Sequence, residues 1–337
     1  MRSGILAGGN WIRDHVKTLD AWPPEEGLAN IVGQVSGNGG GPYNLLKDLS
    51  RLGAAFPLSA VGIVGDDADG RAILEDCRAH GIDTRGLRPQ AGAGTSYTDV
   101  MTVAGSGRRT FFHHRGANAL LGPGHFDFTG ETSRLFYLGY LLLLDALDAP
   151  GPDGRPWARE VLRRARASGL ATAVDCVSAA AGSFGEGVAS VLPEVDFLFV
   201  NDFEAEQLSG IRIGRGAALD RLAAERAARA LVQRGVRQWA IVHFPEGACA
   251  CGPAGDAAWQ GSARVPTTQI ASSVGAGDAF AAGTLLGLHE GWTIGRSLEL
   301  GVCAAAASLT HPTCSGGVRP ADDCLAFGRS LGFLPAG

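Results

Sequence analysis

One run of eleven residues limits what this chain can fold into: Ser273-Val274-Gly275-Ala276-Gly277-Asp278-Ala279-Phe280-Ala281-Ala282-Gly283. Gly275 and Gly277 allow a tight backbone turn with no Cβ in the way. From about Asp278 onward, Ala279, Phe280, Ala281, Ala282, Thr284, Leu285, Leu286 and Leu288 read as a helix. A glycine turn that opens a helix presents free N–H groups and a partial positive charge, so it can cradle an anion. Asp278 falls in the first helical turn. A carboxylate there can cap the helix, or it can take a proton from a hydroxyl beside the anion pocket. Taken alone, the Gly-Ala-Gly-Asp tetrapeptide favours the capped turn, because short motifs recur by chance. The rest of the chain decides between the two.

That rest alternates short apolar runs with helical patterns. Strands are expected at Gly4–Gly9, Ser59–Gly65, Leu135–Tyr140, Ala171–Cys176, Asp196–Val200 and Gln238–Phe244. Helices are expected over 45–52 (closed by Gly53), from Asp66 through about Ala79, over 156–168 (closed by Gly169), over 217–234 and, as the final helix, about 293–310. Such alternation predicts a parallel α/β sheet with helices on both faces. The 50 glycines suit the many tight strand–helix turns of that class. The 337 residues are ample for one core, and no repeat or linker divides them. With a net charge of −5 and dispersed Lys and Arg, no nucleic-acid surface is expected. The longest apolar run, 138–144, is too short to span a bilayer, and the start shows no signal-peptide pattern. The seven cysteines are odd in number and scattered, so no disulfide framework is expected. The expectation is a cytoplasmic protein with reduced thiols and no membrane partner. Cys249 and Cys251 would share one strand face as idle thiols.

Several polar groups stand where an α/β sheet binds ligands, just past strand ends. Asn10 and Asp14 follow the first strand; Asp14 fits a ligand contact and a surface residue equally well. Gly37-Asn38-Gly39-Gly40-Gly41-Pro42-Tyr43-Asn44 is a second glycine-rich stretch, where a polar ligand can approach bare amides and Asn44 can donate and accept. Asp66, Asp67 and Asp69 lack metal-loop spacing and read as helix capping. Thr95–Val103 and Arg108–Arg115 read as a hairpin turning at Gly105-Ser106-Gly107. His113 and His114 would point to opposite strand faces and would not share a metal. Asn201 and Glu204, three residues apart past a strand, can hold a hydrated Mg²⁺ beside phosphates, or they can simply cap a helix.

Taken together, GAGDAFAAG near the C-terminal end, Gly39-Gly40-Gly41-Pro42-Tyr43-Asn44 and Asn201-x-x-Glu204 resemble the ribokinase-like sugar kinases, the phosphofructokinase-B family, over nearly the whole chain. The resemblance implies a ribokinase-like α/β fold, a mainly parallel central sheet with helices on both faces. It implies a single domain, 1–337, carrying a small β lid formed by about 11–37 and 94–117. It makes Asp278 the catalytic base and the amides of Gly275, Ala276 and Gly277 the anion hole. It assigns Asp14, Asn10, Gly40, Gly41 and Asn44 to the substrate, with Arg115 roughly matching a cation found in kinases of acidic sugars. Asn201, Gly247, Gly275 and Gly277 fall to the nucleotide, and Glu204 with Asn201 to Mg²⁺ through water. ATP and Mg²⁺ are the implied cosubstrate and cofactor. On analogy with relatives whose lids pair, a homodimer through the lid is implied as well.

The sequence departs from the family pattern in three places. Gly41 replaces a lysine that some members carry, which argues against an already phosphorylated sugar. His243-Phe244-Pro245-Glu246 replaces the usual nucleotide loop, leaving only Gly247 in register. Ser272 and Ser273 stand where many relatives have an Asp-Thr pair that helps hold a monovalent cation, so K⁺ activation is not expected.

The expected activity is transfer of the γ-phosphoryl of Mg-ATP to a hydroxyl, in the first instance a hydroxymethyl, of a sugar-like substrate. A nucleoside kinase is the alternative, with Trp11, Tyr43 and Tyr140 able to stack a base. A non-catalytic sugar-binding regulator is a second. A dinucleotide-binding dehydrogenase is disfavoured, because residues 4–9 lack GxGxxG spacing.

Overall fold

A computed structural model describes residues 2–105, 108–178 and 186–335. Thirteen strands are found among them: β1 (Ile5–Gly9), β2 (Ile12–Leu19), β3 (Ile31–Gly39), β4 (Leu58–Gly65), β5 (Asp83–Gln90), β6 (Ser96–Val103), β7 (Arg109–His114), β8 (Leu135–Leu141), β9 (Ala171–Cys176), β10 (Phe197–Asn201), β11 (Trp239–Phe244), β12 (Gly247–Cys251) and β13 (Ala257–Gly261). Nine form one sheet in the order β13-β12-β11-β10-β9-β8-β1-β4-β5. It is parallel from β5 to β11 and antiparallel at the β11–β12–β13 edge.

Both faces are covered, so the central strands are mostly apolar. Successive side chains alternate between two cores. Ile5, Ala7, Leu135 and Tyr137 pack with the Gly41–Leu52, Ala276–His289 and Ile294–Ser308 helices. Leu6, Phe136 and Leu138 pack with the Trp157–Ala167 and Arg221–Gln233 helices.

The other four strands form a separate sheet in the order β3-β2-β6-β7, in which β2 and β6 are parallel. This sheet occupies the two segments where the lid is expected. Ser106 and Gly107 of the expected hairpin turn lie outside the described residues.

Several elements differ from the sequence expectation, among them the unanticipated β13. β5 was not anticipated; Arg85, Arg88 and Pro89 break its apolar pattern, and its pairing to β4 supplies what propensity does not. The first long helix begins at Gly41, four residues early, because Pro42 is pre-set for a first helical turn. The Ile294–Ser308 helix is not the last: Ala321–Leu331 follows it, opened after Pro320. Asp67 does cap its helix, accepting the Gly70 amide at 2.8 Å.

Candidate active site

Two cavities meet at the turn that opens the Ala276–His289 helix. The first, of about 760 Å³, lies between the four-stranded sheet and the C-terminal ends of β1, β8 and β9. Val274, Gly275 and Asp278 line it, with Asn10, Asn44 and Tyr140 from the core and Asp14, Thr98, Arg109 and His113 from the four-stranded sheet. The second, of about 820 Å³, is lined by Ala276, Gly277, Phe280, Val302, Asn201, His243, Phe244 and Gly247 among others. Ser273 borders both. One backbone turn therefore presents a carboxylate to one cavity and helix N-terminal residues to the other.

The turn demands its glycine. Gly275 has φ 81°, and a Cβ there would lie 2.6 Å from Cys314 Cβ. The amides that follow belong to a helix N-terminus, where the first N–H groups have no intrahelical acceptor. Upstream, Ser272 Oγ accepts the Val274 amide at 3.1 Å and a bond from Arg109 Nη2 at 3.1 Å, tying β7 to the turn.

Asp278 is 7% exposed, and both its oxygens are engaged. Asn44 Nδ2 donates to Oδ2 at 2.9 Å, and the Tyr140 hydroxyl donates to Oδ1. Burial pushes its carboxyl up to about 6; the Tyr140 and Asn44 bonds oppose that by favouring the ionised form. Asp14 is pushed further, to about 7, by burial and then by the charge of Asp278, with Arg13 opposing. Two carboxylates, both with raised proton affinity, thus face one cavity. Behind them, Asp48 is fully buried with neither oxygen hydrogen-bonded among the described residues, and burial holds its carboxyl well above the usual range.

Asn10 divides its amide. Its Oδ1 accepts the Tyr140 N–H at 2.8 Å and the Gly41 N–H at 3.2 Å; its Nδ2 is buried without a partner among the described residues. Asn10, Gly40, Asn44 and Asp14 line the cavity, and Gly41 does not, its N–H being spent on Asn10.

Arg115 is also elsewhere. It donates to the Leu142 carbonyl at 3.0 Å and pairs with Asp145 at 3.3 Å, outside the cavity lining. The cation that lines the cavity is Arg109. It stands two and four residues before Phe111 and His113, which also line it, and following the strand's two-residue period back from His113 would have found it. His113 bonds Thr98 through Nδ1 at 3.0 Å, and burial lowers it to about 4, so it is neutral near pH 7. His114 stacks on Tyr97 instead.

On the other side, Asn201 and Glu204 form a reciprocal helix cap. Glu204 N–H donates to Asn201 Oδ1 and Asn201 N–H to Glu204 Oε2, each at 2.9 Å; Ser178 Oγ donates to Glu204 Oε1 at 2.8 Å. Burial pushes Glu204 up to about 7 against these bonds. No cluster of three or more His, Cys, Asp or Glu fit to hold a metal exists among the described residues. Asn201 lines the second cavity and Glu204 does not. Half-buried His243, lowered to about 4 by desolvation, borders Gly277 and was assigned no role from sequence.

Of the aromatics expected to stack a base, Trp11 is 0% and Tyr43 3% exposed, and neither lines a cavity. The Tyr140 hydroxyl is committed to Asp278.

The family model of the pfkB family carbohydrate kinases matches residues 10–321. A probable fructokinase-7 of Arabidopsis thaliana is 33% identical over 144 residues, 42% of this chain and 40% of that one. The chain spans only about two fifths of the length of the curated plant fructokinases it matches. An ATP-dependent ribose-1-phosphate kinase of Halopiger xanaduensis is 26% identical over 297 residues, 88% of each chain. Among solved structures, an Arabidopsis thaliana ribokinase complexed with ribose and ATP superposes with a TM-score of 0.81 at 18% identity, covering 98% of this chain and 99% of that one. The fold is ribokinase-like.

Proposed function

This chain belongs to the pfkB family of carbohydrate kinases, and we propose that it transfers the γ-phosphoryl group of ATP to a hydroxyl of a sugar or sugar-like alcohol. The observation that carries this is the shared turn: Asp278 opens onto the lid-covered cavity, while Ala276 and Gly277 open onto the neighbouring one. An acceptor in the first cavity and a triphosphate in the second would meet only there.

Asp14, Asn44 and Asn10 Nδ2 hold the acceptor's hydroxyls. Asp278 takes the proton of the reacting hydroxyl as its oxygen bonds to the γ-phosphorus. The bond from that phosphorus to the β–γ bridging oxygen breaks, and ADP leaves with the electron pair. The amides of Gly275, Ala276 and Gly277 stabilise the charge on the transferring group. Little else is needed from the protein beyond this positioning and electrostatics. Glu204 and Asn201 would hold Mg²⁺, which would offset phosphate charge. Phe244, Phe280 and Val302 give the nucleotide cavity an apolar wall for a base.

A free sugar or polyol is favoured over a nucleoside because Trp11 and Tyr43 are buried outside the cavity. All seven cysteines are free, which suits a cytoplasmic location. No described helix is long and apolar enough to cross a membrane. The lid's edge strand β3 exposes Ile31, Val32 and Val35, and we place a second copy there. Sedimentation of wild type against Val32→Lys tests this, a monomeric wild type refuting it.

The deciding experiment is ADP release from Mg-ATP against fructose, ribose, ribose 1-phosphate, gluconate-type acids, inositol and nucleosides, with Asp278→Asn alongside. The expected result is one acceptor class that raises turnover in wild type and not in the variant. Equal turnover in both would overturn the mechanism. Acceptor binding without turnover in wild type would point to a regulatory protein instead.

A further inference from the structure

Asp278 has a partner that its sequence neighbourhood does not suggest. Each of its oxygens accepts one bond: Oδ2 from Asn44 at 2.9 Å and Oδ1 from the Tyr140 phenol, 138 residues away along the chain. A carboxylate oxygen has two lone pairs, so each keeps one for an incoming hydroxyl. Tyr140 is itself held on two sides. Its N–H donates to Asn10 Oδ1 at 2.8 Å. Its ring stands against Gly41, where a Cβ would lie 3.0 Å from Tyr140 Cε1 and 3.1 Å from the Tyr137 hydroxyl. Any side chain at position 41 would push into that ring. Glycine at 41 and the aim of the Tyr140 phenol therefore depend on each other.

A lone hydrogen bond from Asn44 leaves a carboxylate free to rotate about its Cβ–Cγ bond. A second bond on the other oxygen, from a residue anchored on a different element, removes that freedom. We propose that Tyr140 is a positioning residue for phosphoryl transfer, its phenol locking the Asp278 carboxylate against Asn44 so that the acceptor hydroxyl meets a base oxygen in one orientation. This rests on the kinase activity proposed above, with Asp278 as its base.

The same bond favours the ionised carboxylate, since a phenol O–H bonds a carboxylate more strongly than a neutral acid. The other titratable groups facing Asp278 are Asp14 on β2, Asp48 on the Gly41–Leu52 helix, Tyr137 on β8, Asp175 on β9 and Cys314 past the Ile294–Ser308 helix. The carboxylates among them hold Asp278 up when ionised, so none duplicates what the phenol does. Removing the phenol raises the pH at which the base becomes available.

Tyr140→Phe keeps the ring against Gly41 and removes only the hydroxyl. In this variant kcat is expected to fall about ten-fold, with the KM for acceptor and for ATP within about two-fold of wild type. The acid limb of kcat/KM is expected to move up by about one pH unit. A ¹³C carboxyl titration of Asp278, recorded without acceptor or nucleotide, is expected to move up by the same amount, and Tyr137→Phe to leave it in place. Unchanged kcat with an unchanged carboxyl titration would overturn the proposal, leaving the phenol a packing group. A raised acceptor KM with unchanged kcat would overturn it too, making Tyr140 a substrate contact. The carboxyl titration needs no turnover, so it tests the Tyr140–Asp278 bond even if no acceptor is phosphorylated, an outcome that would count against the kinase activity instead.

Discussion

Asp278 and Glu204 are both buried carboxylates with raised proton affinity, and they are held in opposite ways. Glu204 is satisfied by its own neighbourhood: Asn201 three residues back and Ser178 at the end of the adjoining strand take up both oxygens. Asp278 is satisfied from a distance, by Asn44 and Tyr140, which reach it from two other elements. Around Glu204 the hydrogen-bonding capacity is spent on closing a helix. Around Asp278, Asn10 Nδ2 and Asn44 Oδ1 remain buried and unpartnered among the described residues, in or beside a cavity. Unspent buried polar groups cost stability. The two beside Asp278 leave donor and acceptor capacity that the proposed hydroxylated acceptor would take up.

The contrast can be broken most directly at Asp278. Asp278→Asn keeps both hydrogen-bonding neighbours but removes the base, and turnover is expected to fall by about 10²–10⁴ while calorimetric binding of acceptor and nucleotide persists. Loss of binding together with turnover would make Asp278 a ligand contact. In wild type, activity is expected to rise as pH passes through about 6, where Asp278 ionises. Glu204→Gln is next in size. Glutamine still serves in a reciprocal cap, so stability should hold while the Mg²⁺ concentration for half-maximal turnover rises about ten-fold. An unchanged Mg²⁺ requirement would confine Glu204 to closing its helix and sharpen the contrast further.

Asn201→Ala attacks the cap itself. Chemical denaturation is expected to show a loss of about 1 kcal/mol. A loss near zero would mean that Ser178 and Glu204 hold the helix start without it. The smallest effect belongs to Asp48. Burial raises its folded-state proton affinity above that of the unfolded chain. Its contribution to stability is therefore complete below the ordinary carboxylate range and is lost as pH rises through the folded-state value. Asp48→Asn is expected to raise the melting temperature by roughly 1–3 °C at pH 8, a gain that shrinks toward zero at about pH 4. A gain that is constant with pH would mean that folding does not shift the proton affinity of Asp48.

Much of this was legible from residues alone. The turn around Gly275 follows from glycine's freedom, and the Asn201–Glu204 cap follows from a spacing of three on one helix. The alternating apolar strands, with helices between them, follow from periods of two and 3.6. These are local properties, set by what neighbours a few residues apart can do. β5 escaped because its charged residues hide a strand that only pairing to β4 stabilises. Arg115 was expected at the substrate by position, yet the chain leaves β7 before it, and Asp145 claims its guanidinium. The Asp278–Tyr140 bond could not be read at any spacing, since it joins residues 138 apart. Where the sheet order places β8 beside β1, it brings Tyr140, Asn10 and Asp278 to one cavity. Local sequence determined the turn, the caps and the periodicity, because those depend on backbone geometry within a few residues. The tertiary structure decided which distant hydroxyl and amide hold the base, because burial and strand order set those meetings.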